Sequence, residues 1–336
     1  MEKEITYKPF KTFVLRTPAI PLKRYQTNLK ELINDEFWSN ILEDRYIREA
    51  IFLASPDLSN DIEKFLRHEL KNEKEVNRLK MSVLRYYTRM SSRCTPFGLF
   101  AGFSLGKIGK ETDLCLKTSE NYQRYTRLDM NYLCNLAQNI SKLEEIKELL
   151  LYYPNSSIYT IADKIRYVEW HYKKTRRIHQ ISSVDCSDYV NIILSKAKSG
   201  ASIKELAESI IDEEITFEIS KEFVNNLIDE QILVSELDPS ITGKDFLIQI
   251  SNFFEKTNLK NAFLKEQLKV IVSLLSKIDN SAISTSINIY TEIEKCIKEL
   301  NIPYEKKFLF QTDMYIPVEK SGIDETLIKH VTEHLY

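Results

Sequence analysis

A chain of 336 residues, 43% apolar and 29% charged, can bury a sizeable core and exceeds the length at which one core usually keeps growing, so two sub-domains are expected. Seven glycines, and neither a Gly-x-Gly-x-x-Gly nor a Gly-x-x-x-x-Gly-Lys-Ser/Thr pattern, argue against a dinucleotide-binding fold and a P-loop enzyme. The net charge of −2 hides a segregation: Val76 to Lys110 holds seven basic residues and no acid, while Lys204 to Asp238 holds eleven acids against two lysines.

The five cysteines (Cys94, Cys115, Cys134, Cys186, Cys296) are scattered and form no Cys-x-x-Cys pair, so neither a disulfide framework nor a zinc site is signalled, and no metal is expected. Reduced thiols, no apolar signal region and no membrane-length run together point to a cytoplasmic chain.

Phe10, Phe13 and Leu15 open a strand that Pro18 and Pro21 keep extended beyond Arg16. Asn28 to Ala54 and Asp57 to Asn72 read as helical. In the next helix Val76, Leu79, Val83, Tyr86, Tyr87 and Met90 form one apolar stripe. Arg78, Lys80 and Arg85 lie off it, and Arg85, Arg89 and Arg93 would stack along one side if the helix ran as far as Arg93. Like charges at that spacing repel unless an anion sits against them. Pro96 disfavours helix at Thr95, Gly98 permits a turn, and LFAGFSLGKIG reads as a strand; Phe97, Phe100 and Phe103 are expected in the core.

IRYVEWHY and RIHQISSV flank a basic hairpin tip with Lys173, Lys174, Arg176 and Arg177. His171 and His179 lie on its two arms, but no third metal ligand is spaced nearby. VNIILSKAKSG reads as a helix ending at Gly200, and Ser202 with Glu205 as a capping box on the next. A third helix and a short strand complete a winged-helix-like pattern. Its acids (Glu218, Glu222, Asp229, Glu230) would repel phosphates, so a scaffold or peptide-binding role suits it better than DNA recognition. Helices over Asp245 to Ile278 and Thr291 to Leu300 precede the strand FLFQTDMYIPV. The expected fold is α+β: mixed sheets with many helices. The expected regions are 1–180 carrying the arginine motif, 181–240 winged-helix-like, and 241–336 helical, returning to a strand with Asp313.

The segment from Arg89 to Gly102, with Arg93 and Thr95 ahead of PFGLFAG, resembles the signature of the N-terminal region of lantibiotic dehydratases. FVLRTPAIPL, YTRLDMNYL and FLFQTDMYIP resemble three further family stretches in the same order, so the similarity runs from about residue 10 to 320. The resemblance implies transfer of glutamate, or another amino acid, from aminoacyl-tRNA to Ser and Thr of a ribosomally made precursor peptide. It needs no cofactor beyond the aminoacyl-tRNA co-substrate. On the family pattern Arg16, Arg89, Arg93 and Thr95 carry over as site residues, with Asp129 and Asp313 as acidic partners. Arg78, Lys80, Arg85 and the hairpin-tip residues Lys173, Lys174, Arg176 and Arg177 are the expected tRNA contacts. Arginine forks suit phosphate and carboxylate because they bind both oxygens at once.

Plainer readings exist for two of these. Arg16 also fits a surface ion pair, and Asp129 also fits a cap on MNYLCNLAQNI. Asp313 inside an apolar strand is harder to explain as structure, because a buried carboxylate without a partner is costly. Members of the family are usually much longer; the second part of the glutamylation region and the elimination domain have no counterpart here. The expectation is therefore a transferase part active alone or with a second polypeptide, the chain being a fragment or a split subunit, or else a non-catalytic module that binds precursor peptide or tRNA. The resemblance is compatible with a homodimer.

Overall fold

The computed structural model describes residues 9–29, 35–70, 72–173, 176–239, 242–257, 262–284 and 287–333. The fold is α+β and the chain forms two compact units, one of 1–129 with 267–336 and one of 130–266.

The first unit opens with β1 (Thr12–Pro18), then α1 (Leu22–Leu29), α2 (Asp35–Glu43), α3 (Arg45–Ala54), α4 (Pro56–Leu66) and α5 (Glu73–Ser92). The helical stretch expected over Asn28 to Ala54 is thus broken. Asp44 leaves the helical conformation and its carboxylate accepts the Tyr46 and Ile47 N–H groups, capping α3. The stretch expected to run to Asn72 stops at Leu66, and His68 turns through a positive φ of 59°. Asn72 instead caps α5 by accepting the Lys74 N–H. The α5 stripe is confirmed: Leu79, Val83, Tyr87 and Met90 are buried in one cluster with Trp38, Ile47, Ile51, Phe100 and Met314.

β2 (Ala101–Gly109), β3 (Asp113–Leu116) and β4 (Gln123–Leu128) follow. The second unit then holds α6 (Met130–Ser141), α7 (Glu144–Lys147), β5 (Tyr152–Pro154), β6 (Tyr159–Ile161), β7 (Lys164–Lys173) and β8 (Arg176–Asp185). It continues through α8 (Asp188–Ala197), α9 (Ile203–Glu208), α10 (Phe217–Asp229), β9 (Leu233–Ser235) and α11 (Phe246–Lys256). β6, β7 and β8 form an antiparallel sheet with the expected hairpin, and β9 pairs with β5. The capping box of Ser202 and Glu205 is present, and Gly200 takes the left-handed conformation at φ 83°. The first unit resumes with most of α12 (Ala262–Asp279), α13 (Ile287–Glu299), β10 (Phe310–Tyr315), β11 (Val318–Asp324) and α14 (Glu325–Glu333).

The six-stranded sheet of the first unit is centred on β2. β1 runs antiparallel along one side of β2; β10 and then β11 run parallel along the other. β4 is antiparallel to β10, and β3 to β11. The register fixes two faces. Thr312, Met314, Arg124, Thr126 and Ser104 are buried on one, whereas Val14, Leu105 and Tyr125 are exposed on the other. Arg124 is the charge on the buried face. It pairs with the buried carboxylate of Glu49 and donates to the Ile278 carbonyl (3.0 and 2.6 Å) and Ser281 Oγ (2.8 Å). Such a pair is tolerated inside a core only because its hydrogen bonds are made.

Candidate active site at one end of the six-stranded sheet

Strand directions gather the family-type residues. β1 and β4 end, and β2 and β10 begin, at the same end of the sheet. Arg16 lies near the end of β1, and Asp313 three residues after the start of β10. Asp129 follows the last residue of β4, and its N–H donates to the Leu309 carbonyl at 2.9 Å. The turn from α5 into β2 closes over this end: the Ala19 N–H donates to Phe100 O and the Ile20 N–H to Met90 O, both at 3.0 Å.

That turn explains the residue types at Thr95 to Gly102. α5 stops at Ser92, two residues short of Cys94, so Arg93 is an extended cap residue (φ −112°, ψ 122°) whose N–H donates to Arg89 O. Arg93 therefore does not continue a helical stack with Arg85 and Arg89. The chain leaves the helix early because Pro96 forbids helix before it. Gly98 takes φ 52°, and the Phe100 N–H donates back to Phe97 O. Gly102 is required by proximity: a Cβ there would lie 2.6 Å from Met314 O. Tyr46, its phenol pushed well above the usual range by burial, donates to Leu99 O at 2.7 Å and pins the turn.

Phe97 is not the core residue expected. It is 40% exposed, and the Arg89 guanidinium stacks on its ring at 4.1 Å, with Phe100 at 5.9 Å. The ring holds a flexible arginine in place while leaving its donors available. Arg93, Thr95 and Arg16 are exposed. Arg16 pairs across strands with Phe103, whose ring meets Tyr315 edge-on at 5.7 Å. Asp313, two residues before Tyr315, shares that open face. It is not buried: its carboxylate is half-exposed and bonded to Arg127 at 2.5 Å. An open cationic end with two carboxylates can hold an anionic ligand and orient a hydroxyl or ammonium group.

Arg127 was not among the expected site residues. It stacks on Tyr125 at 5.3 Å, two residues back on the same face of β4. The alternation Tyr125, Arg127, Asp129 in YTRLDMNYL was the available signal, since every second strand residue shares a face.

The expected tRNA contacts divide between the units. Arg78 and Arg85, seven residues apart and so on one stripe of α5, are exposed, and the Lys80 ammonium sits over Trp38 at 5.5 Å. Arg177, in the second unit, stacks on Trp170 at 3.9 Å. Lys174 lies outside the described residues, and of Lys173 and Arg176 the backbone alone is described, paired at the hairpin end. His171 pairs with Ile178 and His179 with Trp170, which puts the two histidines on opposite faces. Among the described residues no group of three or more His, Cys, Asp and Glu could hold a metal ion.

Stacked and exposed arginines thus lie beside half-exposed carboxylates at one end of an α+β unit. The sequence profile described as "Lantibiotic dehydratase, N terminus" matches residues 43–336, and the chain belongs to that family. Epidermin biosynthesis protein EpiB of Staphylococcus epidermidis is 24% identical over 334 residues, covering 98% of this chain and 33% of that protein. The tRNA-dependent lantibiotic dehydratase MibB of Microbispora sp. 107891 superposes with a TM-score of 0.75 at 20% identity, over 97% of this chain and 30% of its own. The glutamylation domain of TbtB, from thiomuracin biosynthesis, superposes at 0.59 with 14% identity, over 88% of this chain and 35% of its own. The chain thus spans about a third of the length of these relatives.

Proposed function

We propose that this chain is the aminoacyl-tRNA-binding part of a glutamyl transferase that esterifies Ser and Thr of a ribosomally made precursor peptide. The observation that carries the reading is the convergence of Arg16, Arg89, Arg93, Thr95, Asp129 and Asp313 on one end of one sheet. In the reaction the peptide hydroxyl oxygen attacks the ester carbonyl of glutamyl-tRNA. The bond to the ribose oxygen breaks, and the hydroxyl proton ends on that leaving oxygen. Arg89 and Arg93 face phosphate or the developing oxyanion, where fixed donors contribute most. Thr95 supplies a positioning hydrogen bond, and Asp129 or Asp313 orients an arginine or the incoming hydroxyl. No cofactor is required.

MibB is tRNA dependent and the solved TbtB chain, about a third of which matches, is a glutamylation domain, which favours the same chemistry here. A tRNA co-substrate in turn favours a cytoplasmic location, and no helix among the described residues is long and apolar enough to cross a membrane. Because the relatives are about three times longer, a second polypeptide or region completing the reaction is part of the proposal, as is a homodimer. The test is incubation with labelled glutamyl-tRNA and a Ser/Thr-rich precursor peptide, followed by mass measurement. A peptide gaining glutamyl residues, lost in Arg93→Ala, supports the reading; undiminished transfer by Arg93→Ala removes Arg93 from it.

A second reading, a binding module for precursor peptide, is favoured by β8. It is the outer strand of its sheet, with Ile181 66% exposed, so its backbone can accept an added strand. Peptide binding that survives Arg93→Ala but is lost on Ile181→Pro would identify that role.

A further inference from the structure

We infer that Arg127 is a positioning residue of this site, acting through Asp313 to fix the carboxylate that meets the aminoacyl end of the ligand. The inference rests on the reading just proposed and assigns a role to a side chain outside the family-type set.

Arg124 and Arg127 lie three apart on β4, on opposite faces. Arg124 is fully buried and its Nε, Nη1 and Nη2 all donate within the core. That is how an arginine serving the fold looks. Arg127 differs at each point. It lies on the open face, binds Asp313 through Nη2 alone at 2.5 Å, and its Nε is buried with no hydrogen-bond partner. An orphaned donor costs stability, so the fold alone does not account for this guanidinium. Its orientation is nonetheless constrained, because the ring of Tyr125 lies against it at 5.3 Å. Asp313, for its part, sits opposite Tyr125 across β4, one row along from Phe103, Arg16 and Tyr315. A lone aspartate there would sample several rotamers. Held by a stacked arginine, it keeps one oxygen engaged and presents the other.

The ligand group that this oxygen takes is a hydrogen-bond donor. For an aminoacyl-tRNA it is the α-ammonium or a ribose hydroxyl.

The test measures binding of a hydrolysis-resistant 3′-amide analogue of glutamyl-adenosine 5′-phosphate to the full chain by calorimetry. Variants are Asp313→Asn, Arg127→Met, Arg127→Lys and the double Asp313→Asn/Arg127→Met, with thermal melts as the control for folding. Loss of one charge-assisted contact corresponds to about tenfold in affinity. Asp313→Asn and Arg127→Met should each weaken binding by about that factor, and the double variant no further, because the two act as a unit. Arg127→Lys, which keeps the charge, should recover most of the affinity. A structural role alone would lower the melting temperature of Arg127→Met and leave affinity in the folded fraction unchanged, which overturns the inference. Additive losses in the double variant overturn it as well, as does full affinity in Asp313→Asn. No binding by the unaltered chain overturns the proposed function itself and the inference with it, a result distinct from the other three.

Discussion

Glu49 and Glu205 are both carboxylates engaged by neighbours, yet they make different predictions because one is buried and the other is not. The Glu49 side chain is inaccessible, bound to Arg124, and accepts the Ser284 N–H at 2.7 Å. Glu49→Ala would leave Arg124 charged in the core, so urea denaturation should find a loss of about 3–5 kcal/mol. The double variant Glu49→Met/Arg124→Met should lose less, since no charge is stranded. Glu205 is exposed, and its carboxyl is held below the usual range by the Ser202 N–H and then the Ser202 hydroxyl. A carboxylate depressed in the folded state contributes stability above its unfolded value and loses it as pH falls through the folded one. The urea midpoint of the parent should therefore exceed that of Glu205→Gln near neutrality, and the gap should close between about pH 5 and about pH 3. The capping box was legible in the sequence because its signature is local. For Arg127 the strand alternation gives the face but not the partner: Asp313 is 186 residues away, and no periodicity joins them.

At the scale of elements, periodicity located α5 and β2, while their ends were set by features that periodicity does not contain. The α5 stripe continues in phase to Met90, but Pro96 stops the helix at Ser92 and turns Arg93 out of line. Asp44 and His68 interrupt helices whose apolar patterns run on past them. The open face of β2 and the turn before it were also illegible, since Phe103 and Phe97 look like core residues in any window of sequence. Two predictions belong here. Arg78 and Arg85 are exposed on one stripe of α5; if each meets a phosphate, neutralising either to Gln should weaken tRNA binding. It should also reduce the slope of log affinity against log salt by about one unit. An unchanged slope would place the tRNA elsewhere. Gly102→Ala should force β10 away from β2, because the added methyl meets Met314 O and Ile316 Cγ1. Overpacking of that kind costs about 1–3 kcal/mol. Since Asp313 rides on β10, binding at the site should fall more than stability does.

At the scale of the whole molecule the decisive feature is that the first unit is discontinuous in sequence. The division into regions expected at 180 and 240 followed composition along the chain, whereas compactness follows strand pairing. β10, near the end of the chain, inserts between β2 and β4, pairing with Phe103 on one side and with all of Gln123 to Leu128 on the other. Its partners lie about 180–210 residues earlier in sequence, a separation that local patterns cannot encode. Without residues 267–336, β4 would have no strand beside it and β2 would keep β1 alone. Met314 and Ile316 would be missing from the cluster that covers α5. A fragment of residues 1–129 should therefore lack a cooperative urea transition, followed by circular dichroism, and should regain one when 267–336 is supplied as a separate chain. Residues 130–266, which contain both strands of each of their own pairings, should unfold cooperatively alone. A cooperative transition in 1–129 by itself would mean that β10 is an accessory to this sheet. The site at its end would then be assembled by something other than the strand order on which Arg16, Asp129 and Asp313 converge.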